Sequence, residues 1–278
     1  MILTLLVSAS PAARATLIAY DGFESYSIGG LSGGNAGTGT IGASGETGWS
    51  AAWNAVSGIN VASAGLSYSG GTVVVNGGSK VAQIDGATIN IDAADRSFAS
   101  QTGTLYFSFL FSATAASLSN DDFVHFMLNN DTVNTNSGGI GKLTTTDLSL
   151  GARVGTTNGG TTTSSSTLMT GGTTYFLVGK ISKVSSTNYN QIDLYINPTS
   201  NIEPGTASAT SSADGGFSSI PVFSLRTFNL DAGDVYRFDE LRVGTTFADV
   251  VPTAVPEPSA MGLLCGGVAM FLSRRRRA

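Results

Sequence analysis

What this 278-residue chain has least of is cysteine, histidine, charge and helical pattern. Its single cysteine, Cys265, sits near the C-terminus, so the body carries no disulfide and has to hold itself together by its core. With one histidine, His125, and no cysteine in the body, a His/Cys metal cluster and a cysteine nucleophile are excluded. No Ser/His/Asp spacing singles itself out as a triad. Charged residues make up 12% of the chain; with Arg14, the four C-terminal arginines and Glu257 set aside, nine basic and eighteen acidic residues remain, scattered along the body. No basic patch outside the tail could grip phosphate, which excludes a nucleic-acid partner. Long apolar runs are missing too. The C-terminal stretch Ala260 to Leu272 has thirteen residues and as a helix spans only roughly 20 Å, against about 30 Å of membrane hydrocarbon.

What is present is concentrated first in that tail. Pro256 and Pro258 in Val255-Pro256-Glu257-Pro258 disfavour helix in the residues before them. A helix is therefore expected from Ser259, an acceptable N-cap. Ser259, Ser273 and the snorkelling stems of Arg274, Arg275, Arg276 and Arg277 lengthen the apolar stretch toward a C-terminal transmembrane-like helix that meets the membrane. Four arginines are costly to move through a bilayer, so they stay cytoplasmic while everything before Val255 is exported. A buried core helix ending in a solvated basic cluster is the plain alternative. The order of proline-glutamate-proline, short glycine-containing apolar run and terminal arginine block closely resembles the PEP-CTERM sorting signal of Gram-negative bacteria. The resemblance implies that Pro256-Glu257-Pro258 is recognised by an exosortase, a membrane-embedded cysteine transpeptidase that cuts the tail and passes the protein to the outside.

At the other end, MILTLLVSASPAARA combines an apolar region from Ile2 to Val7 with a small-residue Ala13-Arg14-Ala15 site, the pattern of a secretory signal over residues 1–15 that lacks a basic n-region. A buried N-terminal strand is the alternative. The chain then divides into 1–15, a body over 16–253 and a sorting and anchor segment over 254–278.

The body shows short β-type runs separated by Gly, Asn, Ser and Thr clusters, with hardly any segment of helical period. Ten strands are expected: 17–21, 72–75, 80–84, 104–111, 123–128, 148–154, 173–182, 191–196, 222–229 and 236–243. Turn chemistry lies between them in Asn76-Gly77-Gly78, Asp85-Gly86, Asn129-Asn130-Asp131, Asn158-Gly159-Gly160 and Asp231-Ala232-Gly233. In LYFSFLF, Leu105, Phe107, Phe109 and Phe111 share one face, so that sheet has a strongly apolar side and a second face partly covered. Residues 29–48 and 156–167 are so rich in glycine, serine and threonine that they read as long surface loops, with a ligand role as the alternative. The pattern predicts an all-β protein, two antiparallel sheets packed as a jelly-roll sandwich.

AYDGFESYSIGGL, GWSAAW, YFLVGKI, IDLYINPTSNIEP and YRFDELRVGTTFADVVP occur in that order. They resemble the concanavalin A-like, laminin-G-like sandwich domains of many PEP-CTERM proteins. The resemblance implies a superfold whose members bind sugars, proteins or calcium and in some cases hydrolyse glycans, and fold alone does not choose among these. It also implies that the DGFE and FDEL strands share one sandwich, tying Phe23 and Phe238 into its core.

Enzymatic residues are hard to find. His125 shares a strand face with Phe123 and Met127, opposite Val124, Phe126 and Leu128, as a structural histidine does. No E-x-D-x-x-E pattern of paired carboxylates is present, and adjacent Asp239 and Glu240 are expected on opposite faces of their strand. For a structural calcium, Asp21, Glu24, Asp121, Asp122, Asp234 and Asp239 are hard oxygen ligands near strand ends, with Asp21 and Asp239 the leading pair; solvated turn carboxylates explain them equally well. No other cofactor is indicated. For sugar stacking, Trp49, Trp53, Tyr68 and Tyr189 are the aromatic platforms, unless the two tryptophans close the core. The sequence reads as an exported, surface- or matrix-associated, non-enzymatic protein with an exosortase, the membrane and a polysaccharide matrix as partners. A carbohydrate-binding module is the alternative, and a divergent glycan hydrolase comes third.

Overall fold

The computed structural model describes residues 17–31, 46–56, 58–86, 93–129, 136–156 and 160–253. The expected signal segment 1–15 and tail 254–278 lie outside these residues, as do 32–45 of the first expected loop and 157–159 of the second. All ten expected strands form, and Leu17–Asp21, Phe123–Leu128 and Gln191–Ile196 have the expected bounds.

Among the described residues the strands assemble into two large antiparallel sheets and a small one. The ten-stranded sheet runs Ala209–Ser212, Gln191–Ile196, Tyr175–Ser182, Leu105–Ala113, Val235–Gly244, Val81–Asp85, Ile59–Ala62 and Gly29–Gly30; Leu17–Asp21 and Glu46–Thr47 pair alongside Val235–Gly244. The seven-stranded sheet runs Thr161–Leu168, Ser149–Gly155, Ser137–Lys142, Phe123–Leu128, Ile220–Phe228, Ala93–Gln101 and Asn54–Ala55. Ser67–Gly70 and Val73–Asn76 form a separate hairpin. The chain crosses repeatedly between the large sheets, so the product is a jelly-roll sandwich.

Alternation decides which side chains meet between the sheets. Leu105, Phe107, Phe109 and Phe111 on one side face Val124, Phe126 and Leu128 on the other, with Phe223, Phe238, Leu241 and Val243 in the same core. Ring centroids of Phe109 and Phe126 are 4.2 Å apart, and those of Phe126 and Phe238 are 5.3 Å apart. Each such buried phenylalanine contributes about 1.5–3 kcal/mol. Phe23 meets Phe238 edge-on at 5.2 Å, while Leu17–Asp21 pairs with Val235–Gly244, so the DGFE and FDEL strands do share one sheet. His125 lies on the other face from Val124, Phe126 and Leu128, buried, with its ring against Phe123 at 5.8 Å.

Four expectations are corrected. Residues 161–168 form a strand rather than a loop, antiparallel to Ser149–Gly155, and the described ends of the other expected loop pair as the short strands Gly29–Gly30 and Glu46–Thr47. The 161–168 strand lies at the sheet edge and is mostly exposed, so Thr and Ser suffice there and no apolar alternation announces it. Ser137–Lys142, with three glycines, is a central strand that periodicity missed; a Cβ at Gly139 would meet Phe126 O at 2.1 Å, so only glycine permits that approach. The body also contains one helical turn, Phe247–Val250, capped by reciprocal Thr246 and Asp249 bonds. Finally, Asp239 and Glu240 do not alternate. Core positions shift from Tyr236 and Phe238 to Leu241 and Val243 across a bulge where Glu240 has φ 55°, and the pairing with Leu105–Ala113 slips there too. Both carboxyls are thereby displaced from the core face and buried beneath other elements.

A charged group crosses the sandwich. Arg96, on Ala93–Gln101 of the seven-stranded sheet, is fully buried and donates to Asp21 Oδ2 at 2.5 Å and Glu46 Oε2 at 3.1 Å, both on the opposite sheet. Its Nε donates to Ala51 O at 2.9 Å, and its plane lies 5.0 Å from the Trp49 ring centroid. Asp21 Oδ2 also accepts from Trp53 Nε1 at 2.7 Å and Tyr26 OH at 2.9 Å. Burial pushes Asp21 up to about 6, with Arg96 opposing it, and the carboxylate is ionised at neutral pH.

These buried charges make the fold sensitive to mutation and to pH. Arg96→Ala leaves Asp21 and Glu46 buried without their cation and is expected to cost about 3–5 kcal/mol, read from urea unfolding by tryptophan fluorescence; a loss below 1 kcal/mol would remove Arg96 from its bridging role. Burial, followed by the nearby Glu240 and Glu24 charges, raises Asp239 to about 8, against backbone hydrogen bonds from Leu66 and Glu240. Between its ordinary 3.8 and 8 the folded state therefore keeps a proton that the unfolded chain gives up. Stability is expected to fall as pH rises from 5 to 8, by at most about 1.4 kcal/mol per pH unit for this one proton. A urea midpoint that stays flat or climbs over that range would contradict it.

Candidate functional site

The tail leaves the sandwich at a fixed point. The outer face of the ten-stranded sheet carries a second apolar cluster, in which Phe247, Val250 and Val251 pack with Tyr106, Leu110, Phe176, Val178 and Tyr195 beside Val73 and Val75 of the hairpin. Ser108 Oγ donates to Val250 O at 2.7 Å. Thr253, the last described residue, bridges Val73 of the hairpin. The second face of the LYFSFLF strand is thus covered by the hairpin and by the segment that leads into the tail. Val255, Pro256, Glu257 and Pro258, and Arg274 to Arg277, fall outside the described residues. No helix among the described residues is long and apolar enough to cross a membrane.

The aromatic platforms expected from sequence serve other purposes. Trp53 is buried between Phe23, Trp49 and Phe238, and its indole N–H is taken by Asp21, so no ring face is left for a sugar. Tyr189 is buried as well, stacked on Phe217 with its hydroxyl on Gly103 O at 2.6 Å. Trp49, half-buried, donates to Tyr20 O at 2.8 Å and packs on Phe98 and Arg96. Tyr68, also half-buried, packs on Phe176 and donates to Asn197 O at 2.9 Å. All four close the structure, and they do not line one surface.

The carboxylates expected for calcium are likewise committed to protein donors. Asp21 takes Arg96 as its cation, and Asp239 accepts from Leu66 N at 3.0 Å and Glu240 N at 2.8 Å. Glu24 binds the backbone amides of Ser79 and Lys80, both at 2.6 Å. Asp122 accepts from Tyr236 OH at 2.6 Å, and Asp234 from Asp231 N at 2.6 Å. No three His, Cys, Asp or Glu side chains gather as a metal site among the described residues.

A polar cleft of about 570 Å³ opens elsewhere, at the edge of the ten-stranded sheet's outer face. Strand pairing sets its floor: Lys180 lies opposite Asp193, which lies opposite Thr210. Asp193 Oδ1 accepts from Thr210 Oγ1 at 2.6 Å, and Oδ2 from Gln191 Nε2 at 3.1 Å. The wall is the connection between Gln191–Ile196 and Ala209–Ser212, held down by Glu203. Its carboxylate receives Lys180 Nζ at 2.7 Å, Tyr195 OH at 2.6 Å and Tyr106 OH at 2.7 Å. Burial works to raise Glu203, but these three donors outweigh it and hold the carboxyl below its ordinary range, so it is ionised at neutral pH. Phe247 meets Tyr195 edge-on at 5.3 Å, so the cleft adjoins the root of the tail. Sequence reading passed over this site because Asp193 and Tyr195 look like ordinary outward strand positions and Thr210 lies in a strand, Ala209–Ser212, that no apolar alternation announces. Only the cross-strand register collects them.

Comparison with known proteins gives one family match. Residues 254–277 match the PEP-CTERM protein-sorting motif. No curated protein matches the chain. Among solved structures, an endo-β-1,4-glucuronan lyase from the fungus Trichoderma reesei is similar at 16% identity and a TM-score of 0.46, over 86% of this chain and 100% of that one. The carbohydrate recognition domain of Emp47p is similar at 6% identity and 0.43, over 85% and 99%. Lectin UEA-II complexed with galactose is similar at 11% and 0.41, over 67% and 92%. These are distant likenesses of fold. The chain carries a PEP-CTERM protein-sorting motif over residues 254–277, behind a body that is an antiparallel β-sandwich.

Proposed function

We propose that this protein is a non-enzymatic display protein: exported, handled by an exosortase through Pro256-Glu257-Pro258, and presented by its sandwich at the cell surface or in the extracellular matrix. The single observation that carries the reading is the sorting motif at 254–277. The motif marks the chain for export and sorting toward the outside. The packed root before it supports the reading physically, because Phe247, Val250 and Val251 are buried while Thr253 bridges the hairpin. A folded body that grips the chain up to Thr253 leaves only the motif and the residues C-terminal to it for a membrane enzyme to handle. The non-enzymatic part of the reading is supported by the burial of the three groups weighed from the sequence, His125, Asp239 and Glu240, and by the commitment of both cleft carboxylates to protein donors, Glu203 to Lys180, Tyr195 and Tyr106 and Asp193 to Thr210 and Gln191. A proton acceptor has to reach the atom it serves, within about 3 Å or through one water.

A second reading, carbohydrate binding by the same body, is favoured by the polar cleft beside the tail root. Binding and display are compatible, since an anchored or secreted sandwich can hold a matrix polysaccharide in place.

Intact mass and cell fractionation in a host with an exosortase test the sorting reading, with Pro256-Glu257-Pro258 replaced by alanines in one strain. Wild-type protein is expected outside the cell with its tail removed, and the variant uncut in the membrane fraction. Identical behaviour of the two, both keeping the tail, would reduce the segment to an anchor or a buried stretch.

A further inference from the structure

The cleft formed by Lys180, Gln191, Asp193, Glu203 and Thr210 has a composition that selects among ligands. Its volume of about 570 Å³ lies within the roughly 300–1,000 Å³ of small-molecule sites. Donors and acceptors both line it: an ammonium, an amide, three hydroxyls and two carboxylates. A sugar hydroxyl is itself both donor and acceptor, and such a mixed set can satisfy several at once. The three floor residues lie side by side on paired strands, about 4.8 Å apart from strand to strand, a spacing on the scale of a sugar ring.

Charge narrows the choice. One ammonium stands against two carboxylates, and Lys180 is already paired with Glu203. The whole body is acidic as well, with eighteen carboxylate residues to nine basic ones. A uronate or sulfated chain would meet net negative charge at the site and around it. The site is also built before a ligand arrives: Glu203 is fixed by three donors, and Asp193 is buried with two hydrogen-bond partners, so little ordering is needed on binding.

We propose that this cleft binds a neutral, hydroxyl-rich glycan segment, with Asp193 and Lys180 as the principal polar contacts. The inference rests on the carbohydrate-binding reading and adds to it the site and the ligand class. Because Tyr195 is shared between the cleft and the packing of Phe247, the bound glycan lies beside the point where the tail departs.

The experiment titrates the purified full chain in detergent with cello-, xylo- and manno-oligosaccharides and with oligogalacturonate, by calorimetry. Two variants accompany the wild type. Asp193→Asn keeps the shape and removes the charge. Gly205→Leu adds bulk at a lining residue where an added Cβ meets nothing within 4 Å, and an unchanged urea midpoint shows that each variant keeps the fold. At least one neutral series is expected to bind, and both variants to weaken it by roughly tenfold or more. Preference for oligogalacturonate would overturn the ligand class. Neutral-sugar binding that both variants leave unchanged would overturn the site while the carbohydrate-binding reading stood. Absence of binding to every sugar would overturn the inference together with that reading, without touching the sorting function.

Discussion

The sandwich depends on a guanidinium held between its two sheets. A planar group with five donors in a dry interior is tolerated only when nearly all of them are received. Arg96 meets that condition through Asp21, Glu46, Ala51 O and the face of Trp49, which come from two stretches of the N-terminal quarter, the DGFE turn and the segment from Glu46 to Ala51. Apolar packing alone would let the sheets slide by small amounts at little cost. The arginine does not, because any displacement leaves a buried charge unpaired. One residue thereby fixes where DGFE turns, where Glu46 re-enters after the glycine-rich stretch and where GWSAAW closes the end of the core.

A second constraint works on the outside of the larger sheet. The LYFSFLF strand is apolar on both faces, and the outer one needs a cover. The hairpin and the capped turn Phe247–Val250 supply it, bringing the C-terminal end of the body onto the sheet. The bulge at Glu240 belongs to the same solution. It shifts the core phase by one residue, so that Asp239 is placed to receive the Leu66 amide just before the hairpin. The apolar outer face therefore both stabilises the sheet and determines where the sorting tail emerges.

The cleft lies where this cover stops. Beyond Tyr195 the outer face turns polar, and the connection pinned by Glu203 stands over it as a wall. The ionised Glu203 holds two tyrosine hydroxyls and an ammonium together, and the tyrosine rings are the ones that pack on Phe247. The cleft and the root of the tail are thus neighbours in the fold, joined through Tyr106 and Tyr195.

Much of this architecture is legible in the order of residues alone. The tail can be read because its signal is linear: proline, charge and apolar length act in the order they are written. The ten strands can be read because period-two alternation in stretches such as LYFSFLF and FVHFML is local, as is the turn chemistry between them. Three kinds of feature cannot. Thr161–Leu168 and Ser137–Lys142 carry no apolar alternation, since one is an exposed edge and the other needs glycine against a neighbouring backbone. Arg96, at an inward position between Ala94 and Phe98, offers the clue of a charge on a core face, but its acceptors are distant in sequence. The tryptophans, Tyr189 and the aspartates look like surface ligands because residue type is local while burial is not. The sequence by itself determined the fold class and the sorting address, both written in short-range pattern. Only the tertiary structure decided which polar groups became core supports and which met across strands as a site, because that depends on long-range register.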